Sequence, residues 1–224
     1  MSLNRDDAWA LLTEWTEGES LRKHALAVEA AVCGYARVFG ADETDWGVVA
    51  LLHDFDYERY PTPDDHPFRG CEELQRLGYP EWVTRAILSH ADYSGVPRES
   101  RLEKTLFACD EMAGFVMAAA LVRPSRSVMD LEPASVLKRM KDKAFARAVS
   151  RDDLRQGALE LELPLDEHVR NVITFLRERA GALGLGPLHS DSNVSNDSNV
   201  SNDSNVSNDS NDSNDSNDSN DSNV

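Results

Sequence analysis

The chain has little cysteine. Its three cysteines, Cys33, Cys71 and Cys109, lie far apart with no CxxC spacing. That excludes a disulfide framework and a thiolate zinc site, and it fits a reducing, cytoplasmic setting. Long apolar runs are also missing. The longest, Ala113 to Val122, is about half of a membrane span, so no membrane association is expected. The N-terminus, Met-Ser-Leu-Asn-Arg-Asp-Asp, has no basic stretch followed by an apolar one, so no secretory signal is expected. There is no GxxxxGK phosphate loop, no nucleotide fingerprint and no aromatic base-stacking box. No segment alternates with the period of two that a half-buried strand requires.

Positive charge is scarce. Lys and Arg number 23 against 40 Asp and Glu, for a net charge of −17. Such acidity argues against a broad nucleic-acid surface. It leaves room for a small anion in a locally positive site. The imbalance is unevenly spread. From Ser190 to Val224 the chain uses only Ser, Asn, Asp and Val, with eight aspartates and no Lys or Arg. The remaining 189 residues carry 23 basic and 32 acidic side chains, a charge of −9. The repeat is too poor in apolar residues to offset the entropy of ordering, so 187–224 reads as a disordered tail. It lacks the spaced glycine and terminal glutamate of a calcium loop.

The rest reads as one all-α domain over 1–186. Asp6 to Trp15 is a short helix. Ser20 is a plausible N-cap for a helix carrying Leu21, Val28, Val32, Tyr35 and Phe39 on one stripe, closed by Gly40. Asp42 or Thr44 opens a third helix. Pro61 to Asp65 is a loop, and Phe68 to Leu77 is a helix ending at Gly78. Pro80 fits a first-turn proline before a helix from Glu81 to His90. A long helix runs from about Glu99 to Val122. Accessory helices cover about 130–183, in the spans Pro133–Val149, Arg151–Leu161 and Leu165–Ala182.

Four of the six histidines sit in an informative pattern. His24 is three residues after Leu21 and four before Val28, on an apolar stripe. His53-Asp54 follows the apolar run Val48 to Leu52. His90 follows Val83 and Ile87 on an inward face, and Asp110 is four residues after Leu106. A lone inward histidine is most often a hydrogen-bonded core residue. An inward carboxylate is harder to accommodate, because burial costs several kcal/mol unless the group is paired or binds metal. Several imidazoles and carboxylates converging from separate helices would be satisfied together by a cation such as zinc, iron or manganese.

The strings Ser-Leu-Arg-Lys-His24-Ala, Leu-Leu-His53-Asp54-Phe-Asp, His66-Pro-Phe-Arg-Gly, Ile-Leu-Ser-His90-Ala-Asp and Ala-Cys-Asp110-Glu occur in this order. The set resembles the HD-domain metal-dependent phosphohydrolase superfamily, in its HDIG-type bacterial branch, over a motif core of about 20–115. The resemblance implies a helical bundle with one or two divalent ions (Mn, Fe, Co, Ni or Zn, with Mg possible). His24, His53, Asp54 and Asp110 would bind the first. His66 and His90 match the extra histidines of two-metal members, in which Asp54 would bridge. The residue after His90 is Ala91, where some dinuclear members carry another histidine. His66 lies near a loop, and its alternative reading is a surface histidine before a proline.

The implied reaction is hydrolysis of a nucleotide or other small phosphate ester by a metal-activated hydroxide, with Asp54, Lys23 and Arg22 as catalytic residues. Arg69, Arg123, Arg126, Lys141 and Lys143 are candidates for holding the phosphate. The stretch from Lys138 to Arg147 also reads as a solvated helix face with Leu137, Met140 and Ala144 inward. Asp56, Glu58, Asp92 and Glu111 are candidates for orienting ligands or waters. His168 and His189 match no motif. The same six-ligand pattern resembles HD-type di-iron oxygenases, and a non-catalytic nucleotide-sensing module is a third reading.

Overall fold

Short polar caps start several of the helices. The Asn4 carboxamide accepts from the backbone of Asp6 and Asp7, and the Asp42 carboxylate from Asp45. Ser100 and Glu103 form a reciprocal capping box. Gly40 ends its helix in the left-handed conformation, with φ of 68°. In this computed structural model, which describes residues 3–187, helix is the only regular secondary structure among the described residues. The fold class is therefore all-α. The repeat tail from 188 onward, with His189, lies outside the described residues.

In chain order the helices are α1 (Arg5–Trp15), α2 (Glu19–Phe39), α3 (Glu43–Leu52), α4 (Phe68–Arg76), α5 (Glu81–His90), α6 (Arg101–Leu121), α7 (Pro133–Met140), α8 (Arg151–Glu160), α9 (Leu165–Glu178) and α10 (Ala180–Leu183). The two 21-residue helices, α2 and α6, pack against each other at the centre. α3 and α9 lie against α2, while α5, α8 and α9 lie against α6. Val28, Val32 and Tyr35 from α2 and Leu106, Met112 and Phe115 from α6 are fully buried in one continuous core. α8 approaches α6 so closely that a Cβ on Gly157 would stand 2.6 Å from the Ala108 Cα. No described helix is long and apolar enough to cross a membrane.

Three boundaries differ from the sequence reading, and the span expected as one helix, Leu165–Ala182, is broken at Arg179 into α9 and α10. α2 starts at Glu19 with Gly18 as its cap, not at Ser20. The Glu58 carboxylate anchors the entering chain, accepting from the backbone of Glu17 at 2.7 Å and Gly18 at 3.0 Å. Pro80 is the N-cap of α5 and precedes its first turn. The helix expected over Pro133–Val149 stops at Met140. Beyond it, the Arg151 guanidinium donates to the carbonyls of Asp142, Phe145, Ala146 and Val149, which gives a non-helical backbone its partners. Ala144 is consequently exposed rather than inward.

Candidate metal centre

α2, α3, α5 and α6 each end or pass near one point, and each brings a polar side chain there. His24 comes from the second turn of α2, His53 and Asp54 from just past the end of α3, His90 from the last residue of α5, and Asp110 from the middle of α6. His66 joins them from the loop before α4 and is buried, so the surface reading of this residue is wrong. Its ring is held by Asp56, itself 1% exposed. The His66 Nδ1–H donates to Asp56 Oδ1 at 2.7 Å, and the Gly70 backbone N–H donates to Asp56 Oδ2 at 2.7 Å. A Cβ on Gly70 would stand 2.8 Å from the Asp56 Cγ, so only glycine permits this approach without displacement.

Backbone carbonyls orient the other two buried rings. His53 Nδ1–H donates to Ala50 O at 2.7 Å, and His90 Nδ1–H to Ile87 O at 2.5 Å. With Nδ1 occupied in His53, His66 and His90, each ring turns its Nε2 inward. The two oxygens of Asp54 then face different histidines. Oδ2 is 3.4 Å from His53 Nε2 and 3.8 Å from His24 Nε2. Oδ1 is 3.3 Å from both His66 Nε2 and His90 Nε2. Asp110 Oδ1 lies 2.9 Å from His24 Nε2 and 3.3 Å from His53 Nε2. Two donor groups result, His24–His53–Asp54–Asp110 and Asp54–His66–His90, each with its donor atoms within 4.8 Å of one another.

These distances fit ions. Donors bound about 2.1 Å from one ion and separated by right or tetrahedral angles stand about 3.0–3.4 Å apart. The His53 Nε2 is wholly buried and has no hydrogen-bond partner among the described residues. An orphaned buried nitrogen is costly unless something outside the protein satisfies it. The electrostatics agree. Burial opposes a charge on His53, yet Asp54 and Asp110 outweigh it and hold its pKa well above the ordinary value. Burial likewise opposes ionisation of Asp54, but His53, His66 and His90 keep it well below the usual carboxylate range. His66 rises to about 9 against its own burial, through Asp54 and Asp56. The point where these groups meet favours a positive charge. Imidazole nitrogens and carboxylate oxygens in this mixture suit transition-metal ions.

The centre opens into a cavity of about 370 Å³. Tyr57, Tyr93, Phe107, Asp92, Glu111 and Asp153 form its wall. Burial and the neighbouring Asp110 raise the Glu111 carboxyl to about 7. Of the four acids expected to orient ligands or waters, Asp56 braces His66 and Asp92 and Glu111 reach the cavity, whereas Glu58 anchors the start of α2. Sequence reasoning missed Tyr57, Tyr93, Phe107 and Asp153. Asp153 had no local signal, because only the packing of α8 on α6 brings it here.

The basic residues expected at the site do not line this cavity. Arg22 donates to the carbonyls of Thr16 at 2.6 Å and Thr13 at 2.8 Å, tying α2 back to α1. Lys23 pairs with Glu19 at 2.6 Å. Successive helical residues diverge by about 100°, so the neighbours of an inward His24 cannot share its face. Arg69 is held between Asp65 and Glu72. Arg123 pairs with Asp130, and Arg126, Lys141 and Lys143 are exposed. His168 is a structural residue. Its Nε2–H donates to Ala108 O at 2.9 Å and its Nδ1 accepts from the Tyr35 hydroxyl at 2.6 Å. No family model, curated protein or solved structure matches the chain.

Proposed function

We propose that this chain is a metal-dependent phosphohydrolase of the HD-domain type, acting on a nucleotide or other small phosphate ester. The observation that carries the reading is the position of Asp54, whose two oxygens face two separate histidine pairs. His24, His53, Asp54 and Asp110 would hold one divalent ion, and Asp54, His66 and His90 a second. Bound there, the ions would lower the pKa of a water toward neutrality and polarise a phosphoryl oxygen. The protein's own part is to fix the donors. Ala50 O, Ile87 O and Asp56 set the ring orientations, and such supports typically change metal affinity about 10–100-fold.

Two ions carry +4, and Asp54 and Asp110 return −2, so a net +2 faces the substrate. No Lys or Arg lines the cavity to add to it. Asp92, Glu111 and Asp153 oppose highly charged polyphosphates, which favours a singly phosphorylated ester. Tyr57 and Tyr93 supply hydroxyl donors and ring faces for the remainder of the molecule. The test is a screen of the manganese-loaded chain against phosphomonoesters, cyclic dinucleotides and nucleoside polyphosphates, with Asp54→Ala as control. Phosphate release lost in that variant is the expected result, and full activity in it overturns the reading.

The absence of a cationic clamp also favours a second reading, an HD-type di-iron oxygenase. Anaerobic purification separates the two. Iron near two per chain with oxygen uptake supports the oxygenase. Oxygen-independent phosphate release with manganese, magnesium or cobalt supports the hydrolase.

A further inference from the structure

The cations missing from the metal cavity are concentrated elsewhere. Lys138, Arg139, Lys141, Lys143 and Arg147 fall within ten residues, and among the described residues none of them stands in an ion pair. In a chain with 40 acids against 23 bases, a run of unpaired cations is unexpected. The only acid in the run, Asp142, accepts from the Ala144 backbone N–H at 2.9 Å.

The run borders a second cavity, of about 400 Å³. Ser135, Lys138 and Arg139 line one side at the 0, 3 and 4 spacing of one face of α7, Asp142 joins them from just beyond its end, and Arg123 enters from beyond the end of α6. Buried Leu131 lies among the lining groups. Arg123 is fixed by a two-point contact with Asp130, at 3.1 and 2.8 Å. The Arg139 guanidinium lies 5.0 Å from the Phe145 ring centroid, a stacking that restrains it without neutralising it. The cleft therefore offers partly pre-positioned donors, a serine hydroxyl and a lysine.

We propose that this cleft binds a small, multiply charged phosphate, a diphosphate group being the fitting class. Guanidinium and ammonium groups recognise phosphate oxygens in complementary ways, by directed pairs of N–H donors and by point charge. The volume lies in the range of small-molecule sites, which favours a compact anion over a polymer laid along a flat surface. The cleft contains none of the metal-donor residues, so the assignment stands apart from the reading of that centre.

Titration calorimetry of the full-length, zinc-loaded chain with inorganic pyrophosphate tests it. The K138A/R139A double variant should bind at least about tenfold more weakly, a loss of about 1.4 kcal/mol. Both side chains are exposed, so its circular dichroism should be unchanged. Lys138→Arg should retain binding, and so should His53→Ala, which removes a metal donor. Equal affinity in the double variant overturns the proposal, as does the absence of saturable binding at millimolar pyrophosphate. Binding lost in His53→Ala but kept in the double variant places the anion at the metals and also overturns it. Tighter binding of a single-stranded RNA oligonucleotide than of pyrophosphate would replace the small anion with a polymer.

Discussion

The two cavities differ little in volume, about 370 and 400 Å³, and are opposite in chemistry. The metal cavity gathers imidazoles and carboxylates from four helices and the loop before α4, and no Lys or Arg lines it among the described residues. The cleft beside α7 gathers cations on exposed side chains. His53 Nε2 is buried without a hydrogen-bond partner among the described residues, and a bound cation would satisfy it. Lys138 and Arg139 are hydrated when the cleft is empty, so the second can stand vacant at little cost. The same helix serves both. Asp110 and Arg123 are 13 residues apart along and just past α6, about 20 Å at 1.5 Å per residue. Burial, as much as residue type, separates the two cavities.

Removing Asp54 should break the first cavity most completely. Asp54→Ala deletes the only residue common to both donor groups. Metal content, measured by mass spectrometry on protein prepared with saturating metal, should fall from about two per chain to near zero. His90→Ala should lose only one ion. Equal losses in the two variants would show that the groups do not fill separately. Next in size is Asp56→Ala. It leaves the His66 Nδ1–H and the Gly70 N–H without their buried acceptor. Denaturant unfolding should show a loss of about 3 kcal/mol, within the range for breaking a buried charged contact. A loss under about 0.5 kcal/mol, the range of surface substitutions, would mean that water replaces the carboxylate.

Much of this centre was legible in the chain. Apolar stripes at helical spacing turned His24, His90 and Asp110 inward, and the strong run Val48 to Leu52 pointed to His53-Asp54. Those features come from local periodicity, which survives into the fold. The cationic candidates failed because a guanidinium sits on a long, flexible stem and its partner is chosen by tertiary neighbours. Arg22 found the carbonyls of Thr13 and Thr16, and Arg123 found Asp130. Likewise the stop after Met140 was invisible, since the carbonyls it frees are satisfied by Arg151, which lies beyond the segment. The wall residues Tyr93, Phe107 and Asp153 depend on the packing of α8 on α6 and on the turn Asp92–Ser94 that follows α5.

His168 gives a reference for what a satisfied buried histidine does. Both of its nitrogens have protein partners, and burial pushes its pKa down to about 4. Its folded pKa thus lies below the ordinary 6.5 of an unfolded chain. The unfolded state takes up the proton first as pH falls. The stability contributed by neutral His168 is complete above pH 6.5 and is lost as pH drops toward 4. Integrated over that window the loss is at most about 3 kcal/mol. Urea unfolding of the metal-free chain between pH 7.5 and 5 should therefore slope less steeply in His168→Gln than in the parent. Identical slopes would show that this ring takes up its proton as readily in the folded state as in the unfolded one.

The smallest expected effect is the sharpest check on the contrast between the cavities. Lys138→Ala and Arg139→Ala remove exposed side chains that stand in no ion pair among the described residues. Arg139 gives up its stacking on Phe145 and Lys138 gives up only solvated charge. Each should change unfolding free energy by no more than about 0.5 kcal/mol. Neither should change metal content. Each variant also removes one charge from a crowded run of five cations, which relaxes repulsion and offsets part of the lost packing. A destabilisation above about 1 kcal/mol in either variant would mean that the cleft is part of the structural core. A fall in metal content would mean that α6 transmits the change to Asp110, and the two cavities would have to be treated as one coupled unit.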